Sequence, residues 1–201
     1  MTELIQLSKV LKARGFQVAV CENKEQAVDK VRELIEGTDS IQSIGFGNSA
    51  TARSMGLPEL ALSYTENVYI HAPGTSETTD KMALTADIYF TSANAVSLSG
   101  NIINIDATGN RTAAACYGPG HVVYVIGKNK ITNTLEDAMA RAKNTAVTLA
   151  KMYNRKTPCV VTGKCEDCIS PECVCSVTTI HRKKPYGVNM TVILVNEDLG
   201  I

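Results

Sequence analysis

Five of the seven cysteines fall between Cys159 and Cys175, in the order Cys159-x5-Cys165-x2-Cys168-x4-Cys173-x-Cys175. Thiolates this close can converge on one soft metal. Zinc takes four in a tetrahedron, and an iron-sulfur cluster is also held by cysteine sulfur. The spacing matches no standard iron-sulfur run and lacks the two well-separated knuckles common in structural zinc sites. The plainer alternative is a set of free or reversibly oxidised thiols in an exposed loop. The odd number and tight clustering argue against a disulfide scaffold in a reducing compartment.

A second group of chemistry-bearing residues stands where apolar runs end. Ile88 to Thr91, Ile102 to Ile105 and Val122 to Ile126 read as core strands bounded by turn residues. Buried parallel strands read as apolar runs, and ligands of open α/β folds sit in the crevice outside the strand ends. Past the first strand come Thr91, Ser92 and Asn94; past the second, Asp106, Gly109, Asn110 and Arg111; past the third, Asn129 and Lys130. Arg111 offers a planar fork and Lys130 a mobile point charge, and both suit a small anionic ligand, a carboxylate or a phosphate. Asp106 could orient Arg111, bind a hydroxyl, or act as a base; the plain reading is a buried pair with Arg111. Gly109 and Asn110 read as a turn with positive φ, and Asn94 as a ligand donor or a turn residue.

A further strand, Ile41 to Phe46, runs into Gly47, Asn48, Ser49 and Thr51. A strand-to-helix loop of this kind leaves backbone N–H groups open to an anion, or it simply caps the helix. It lacks the lysine of a phosphate loop and the three-glycine dinucleotide fingerprint. His71, past a strand at Val68 to Ile70, reads most simply as structural. Cys116 reads as inert packing, and no serine, histidine and acid set stands at a recognisable spacing.

These residues need a frame to hold them. The hydrophobic spacing predicts a helix from Leu4 to Leu11 ending at Gly15, a strand at Phe16 to Val20, and helices at Lys24 to Glu36, Ala52 to Met55, Glu59 to Leu62 and Glu77 to Leu84. The last follows a turn at Pro73 to Ser76. A long helix then runs from an Asn133 cap, paired with Glu136, along Leu135, Ala138, Met139, Ala142, Ala146 and Leu149. Its alanine-rich face suits close docking, on the sheet or on a second copy in a homo-oligomer. Val177 to Ile180 and Met190 to Val195, flanking a basic turn, read as a C-terminal β-hairpin or a pair of edge strands.

The chain has 201 residues, 20 basic and 20 acidic. That length supports one domain, residues 1–201, burying about 70% of its unfolded surface, with residues 158–176 as a Cys-rich loop inside it. The balanced charge argues against nucleic acid or an acidic membrane as partner. No stretch approaches the ~20 apolar residues of a membrane span, and the amphipathic start differs from a signal peptide. The expectation is a soluble, cytoplasmic protein.

The strings TSANAVSLSGNIINIDATGNR, GPGHVVYVIGKNKI, TPCVVTGKCEDC and VILVNEDLG, spread over nearly the whole chain, resemble the lactate-utilisation (LUD) domain family, long known as a family of unknown function. The resemblance implies an α/β fold, a mainly parallel sheet flanked by helices, similar to the NagB/RpiA/CoA-transferase-like class. It also implies an association with L-lactate oxidation beside iron-sulfur subunits. Asn94, Asp106, Gly109, Asn110, Arg111, Asn129 and Lys130 match the family's pattern. The relatives' usual cysteines correspond to Cys159, Cys165, Cys168 and Cys175, with Cys173 an addition. One departure stands in the glycine loop. Asn48-Ser49-Ala50-Thr51 is followed by Arg53-Ser54-Met55-Gly56, without the acidic residue that relatives place before the second glycine. A different ligand, or a lost step, follows if that carboxylate works in relatives.

Three functional expectations result. One is an accessory component of organic-acid oxidation that binds a small anion in the crevice and a zinc ion or Fe-S cluster in the Cys loop. Another is an isomerase or an acyl/CoA-transferase-like enzyme. The third is a non-enzymatic assembly or electron-transfer subunit docking on an iron-sulfur partner.

Overall fold

Apolar runs with no polar face have to be covered on both sides, and the computed structural model, which describes residues 1–72 and 74–201, covers them in four layers. The elements run α1 (Thr2–Ala13), β1 (Gln17–Cys21), α2 (Lys24–Glu36), β2 (Ile44–Phe46), α3 (Ala50–Ser54), α4 (Leu57–Leu62), β3 (Val68–Ile70), α5 (Glu77–Leu84) and β4 (Ile88–Thr91). They continue with β5 (Ala95–Ser97), β6 (Ile102–Asp106), α6 (Asn110–Cys116), β7 (His121–Gly127), β8 (Ile131–Thr132), α7 (Leu135–Met152), α8 (Pro158–Thr162), β9 (Val177–His181) and β10 (Asn189–Val195).

Six strands form one parallel sheet in the order β1-β10-β7-β4-β2-β3. One face packs on α2, α3 and α4 through Ala27, Val31, Ala52 and Leu57. The other face meets Leu4, Leu7 and Leu11 of α1, and also Val96 and Ile102. Those two residues belong to a second sheet, ordered β8-β5-β6-β9, in which β6 runs antiparallel to both neighbours. Its opposite face presents Ala95, Ile103 and Ile105 to Ala138, Ala142, Ala146 and Ala150 of α7. The alanine stripe therefore docks on a sheet of the same chain, with small side chains permitting close approach. No helix among the described residues is long and apolar enough to cross a membrane.

The expected α/β architecture with a mainly parallel sheet and a C-terminal Cys-rich region is present. Several local expectations change. The C-terminal hairpin does not form: β9 pairs with β6 in the small sheet, whereas β10 inserts between β1 and β7. The reason is burial. Six of the seven β10 residues are buried, so it needs cover on both faces, while β9 alternates toward solvent and suits an edge. The α7 cap is Thr134, which forms a capping box with Asp137, one residue beyond the expected Asn133 and Glu136 pair. Gly109 does adopt positive φ, at +90°, but Asn110 opens α6 rather than continuing a turn. The expected turn residue Pro73 lies outside the described residues.

Candidate functional site

The β6–α6 junction sets the first anchor. Asp106 closes β6, and its two oxygens are both engaged: Arg111 Nε donates to Oδ1 at 2.8 Å, and the Thr112 backbone N–H donates to Oδ2 at 2.7 Å. The buried-pair reading of Asp106 and Arg111 holds, with a second contact from Arg111 Nη2 at 2.7 Å. Nη2 also donates to Asn94 Oδ1 and to the Ile105 carbonyl, each at 2.8 Å. Asn94 thus holds Arg111 in place while its Oδ1 also accepts from the Ile105 N–H at 2.9 Å. Arg111 Nη1 has no hydrogen-bond partner among the described residues.

The glycine loop makes room for that arginine. A Cβ on Gly47 would stand 3.1 Å from Arg111 Cγ and Cδ and 3.2 Å from Thr91 Oγ1, so the absence of a side chain lets the stem pass. Ser49 is the helix cap, accepting from the Ala52 N–H at 3.1 Å. The capping alternative therefore describes Ser49, and α3, only five residues long, supplies no extended anion cradle. Asn48 spans the mouth of the crevice. Its Nδ2 donates to the Tyr153 hydroxyl at 3.1 Å, and its Oδ1 accepts from Arg53.

Lys130 is 4% exposed and lies just past β7. Its ammonium donates to Thr51 Oγ1 and Ser92 Oγ, both at 2.9 Å. No carboxylate pairs with it among the described residues. Burial, reinforced by the nearby cations Arg141 and Arg111, pushes its pKa down to about 7. Asn129 has a structural role instead, its Oδ1 accepting from the Leu199 N–H at 3.1 Å.

These groups line two adjoining hollows that share Asn48, Arg111, Leu149 and Tyr153. The smaller, about 90 Å³, brings together Ser49, Ser92, Asn94, Arg111 and Lys130. The larger, about 340 Å³, adds Asp106, Asn110, His71, Asp80 and Arg155. Gly47, Thr51 and Gly109 support these walls without lining them.

Sequence reasoning missed the contribution of α7. Arg141 donates from Nε to the Asn129 carbonyl at 2.9 Å and from Nη1 to the Asn94 carbonyl, tying two site loops together, and Thr145, Leu149 and Tyr153 complete the wall. Leu149 stood on the expected apolar face, but the buried Thr145, and Tyr153 just past the helix end, left no signal in the spacing. His71 is structural in its bonding: Nε2 faces the Asp80 carbonyl at 2.9 Å and must donate, so Nδ1 accepts from the Tyr89 hydroxyl at 2.9 Å. Cys116 lies 3.7 Å from His181 Nε2. Burial raises the thiol pKa and lowers that of the imidazole, so both shifts favour the neutral forms.

The Cys-rich segment forms a separate pocket on another side of α7. Cys159, Cys165, Cys168, Cys173 and Cys175 all line it as unpaired thiols. Burial, with Cys173, Cys165 and Cys168 alongside, pushes the Cys175 thiol up to about 11. The Cys173 thiol is lowered, chiefly by its hydrogen bond with Ser176. Among the described residues, no three His, Cys, Asp or Glu side chains already converge as metal ligands.

The LUD domain model matches residues 4–195. The chain belongs to the LUD domain family. This LUD domain is also similar to the crystal structure of a DUF162 family protein from Deinococcus radiodurans, with a TM-score of 0.55 and 16% identity over 96% of each chain. At that identity the likeness speaks to fold alone. No curated protein matches the LUD chain.

Proposed function

We propose that this LUD domain protein is an accessory component of organic-acid, lactate-type oxidation whose strand-end crevice binds a small organic anion. The observation that carries the proposal is Lys130, a buried ammonium with hydroxyl partners and no carboxylate paired with it among the described residues. Its missing counter-charge is what an incoming carboxylate or phosphate provides. Arg111 lines the same hollow, its Nη1 has unspent donor capacity among the described residues, and Asp106 and Asn94 hold the rest of that guanidinium rigid. The smaller hollow, about 90 Å³, favours a compact acid, and the adjoining 340 Å³ space takes any larger substituent.

The isomerase and transferase reading draws less support. A nucleophilic or basic carboxylate is required; both Asp106 oxygens are already engaged, and Asp80, in the larger hollow, accepts from the Thr75 hydroxyl on Oδ1 at 2.9 Å. Glu77 lies exposed on α5 against Lys81 rather than in the crevice.

Calorimetry and thermal-shift measurements with L-lactate, pyruvate, inorganic phosphate, sugar phosphates and CoA esters test the proposal. A small hydroxy or oxo acid should bind and raise the melting temperature, and Lys130→Met should abolish the response while the protein stays folded by circular dichroism. No response from any of these anions overturns it.

A further inference from the structure

Residues 163–176 form a run of fourteen positions with no helix or strand. Structureless loops beyond about 12 residues are uncommon in packed domains and need something to hold them. Apolar burial does not do so here. Val174 is the sole buried residue of the run, and Ile169 is fully exposed at 100%. The thiols are what turn inward: Cys165, Cys168, Cys173 and Cys175 are all partly buried in a largely exposed segment.

Three stretches bring the thiols together. Cys159 comes from α8, Cys165 and Cys168 from the turn after it, and Cys173 and Cys175 from the approach to β9. Between Cys165 and Cys168, Asp167 adopts φ of +50°. A left-handed non-glycine residue is uncommon, and here it reverses the chain so that both thiols face the same space. All five surround a cavity of about 20 Å³ against Ala146, Val147 and Ala150 of α7, large enough for one water-sized body.

We propose that this cavity is a structural metal centre in which one zinc ion is ligated by Cys159, Cys165, Cys168 and Cys175. Cys159 and Cys175 both pack against the α7 cluster and supply the inner wall. Cys165 and Cys168 close the outer side. Cys173 stays at the rim with its thiol on Ser176 Oγ at 3.3 Å. The four thiols line the space without converging as a ligand group among the described residues, so binding requires their side chains to rotate inward. Binding exchanges four S–H bonds for four Zn–S bonds and releases four protons, with no change in oxidation state. Lys143 and Glu166 line the same pocket, so its charged side chains balance each other.

The test uses full-length protein purified without oxygen. Elemental analysis should give about one zinc per chain. Titration of the metal-free protein with Co²⁺ should produce the intense thiolate-to-metal charge-transfer band and the visible bands of a tetrahedral site. Cys168→Ser and Cys175→Ser should each lose the metal, and Cys173→Ser should keep it. The Co²⁺ spectrum of the unsubstituted chain decides the matter even if a serine variant fails to fold. Absence of zinc together with no cobalt uptake overturns the proposal, as does a brown iron-sulfur spectrum. Loss of metal in Cys173→Ser with retention in Cys159→Ser overturns the ligand set. None of these readouts uses the crevice anion, so failure of either site is recognised separately.

Discussion

A lysine ammonium that has lost its water and found no carboxylate can lower its energy by giving up its proton or by binding an anion, and both routes give Lys130 a pH signature. In the unfolded chain the amine titrates near 10.5, and in the folded chain near 7. Between those values the unfolded state holds the extra proton, so this residue makes stability rise with pH from about 7 to about 10.5; the contribution is lost as pH falls across that range and stays level below about 7. Urea titrations across this range should show the slope in the native protein and a flatter one in Lys130→Met. Ligand affinity should run the other way. A bound anion stabilises the charged amine, so affinity should be level below pH 7 and fall by up to tenfold per unit above it, which calorimetry at several pH values reads directly. The Asp106–Arg111 pair responds differently. Its side chains are 14% and 9% exposed for Arg111 and Asp106, so Arg111→Ala leaves a buried carboxylate with a single backbone donor and should cost about 3 kcal/mol. A shifted urea midpoint with unchanged m would show it. These residues were legible in the sequence because charged and amide groups ended apolar strands. Arg141 was not, because on a helix it looked like one more solvated cation, and only its approach to the Asn94 and Asn129 carbonyls reveals its role.

At the scale of elements, stretches with a clear apolar pattern between turn residues announced themselves, short ones included, and those without one did not. The bounds expected for α2, β3, α5 and β4 coincide with those found. The strands β5 and β8, with three and two residues, carry no readable period and exist because β6 pairs with β5 and β5 in turn pairs with β8. Helix α6 was hidden because Gly109 and Asn110 look like a turn and the following alanines have no polar contrast. The α7 start illustrates a finer ambiguity. Asn133 with Glu136 and Thr134 with Asp137 both fit a capping pattern, and the frame is decided by which alanines must face the small sheet. Thr134→Ala should therefore cost about 1 kcal/mol, and Asn133→Ala close to nothing. Equal losses in parallel urea titrations would contradict the observed frame.

Across the whole molecule, β10 lies inside the main sheet, between β1 and β7, and the crevice and the thiol pocket share a helix. The false hairpin arose because two strands joined by a short basic turn usually pair. The decisive clue, a run buried on both faces beside a run that alternates, lay in the residues themselves. Helix α7 turns Thr145 and Leu149 to the crevice and Ala146, Val147 and Ala150 to the thiols, and Val174 lines both the thiol pocket and the larger hollow. Two sites that share packed side chains are coupled to the extent that one orders what the other needs. Without metal, the fourteen-residue Cys-rich run keeps only hydrogen bonds such as those of Glu172 and Ser170 to the Lys156 backbone, and Val174 should leave its seat beside Leu149 and Tyr153. Metal removal, or Cys168→Ser, should then speed amide hydrogen exchange in residues 153–176 and weaken anion binding by about fivefold. Exchange in β7 and β10 should be unchanged, since their bonds lie inside the parallel sheet and share none of this packing. A uniform rise in exchange would mean global unfolding rather than coupling, and unaltered anion affinity with a loosened loop would show that α7 insulates the two sites.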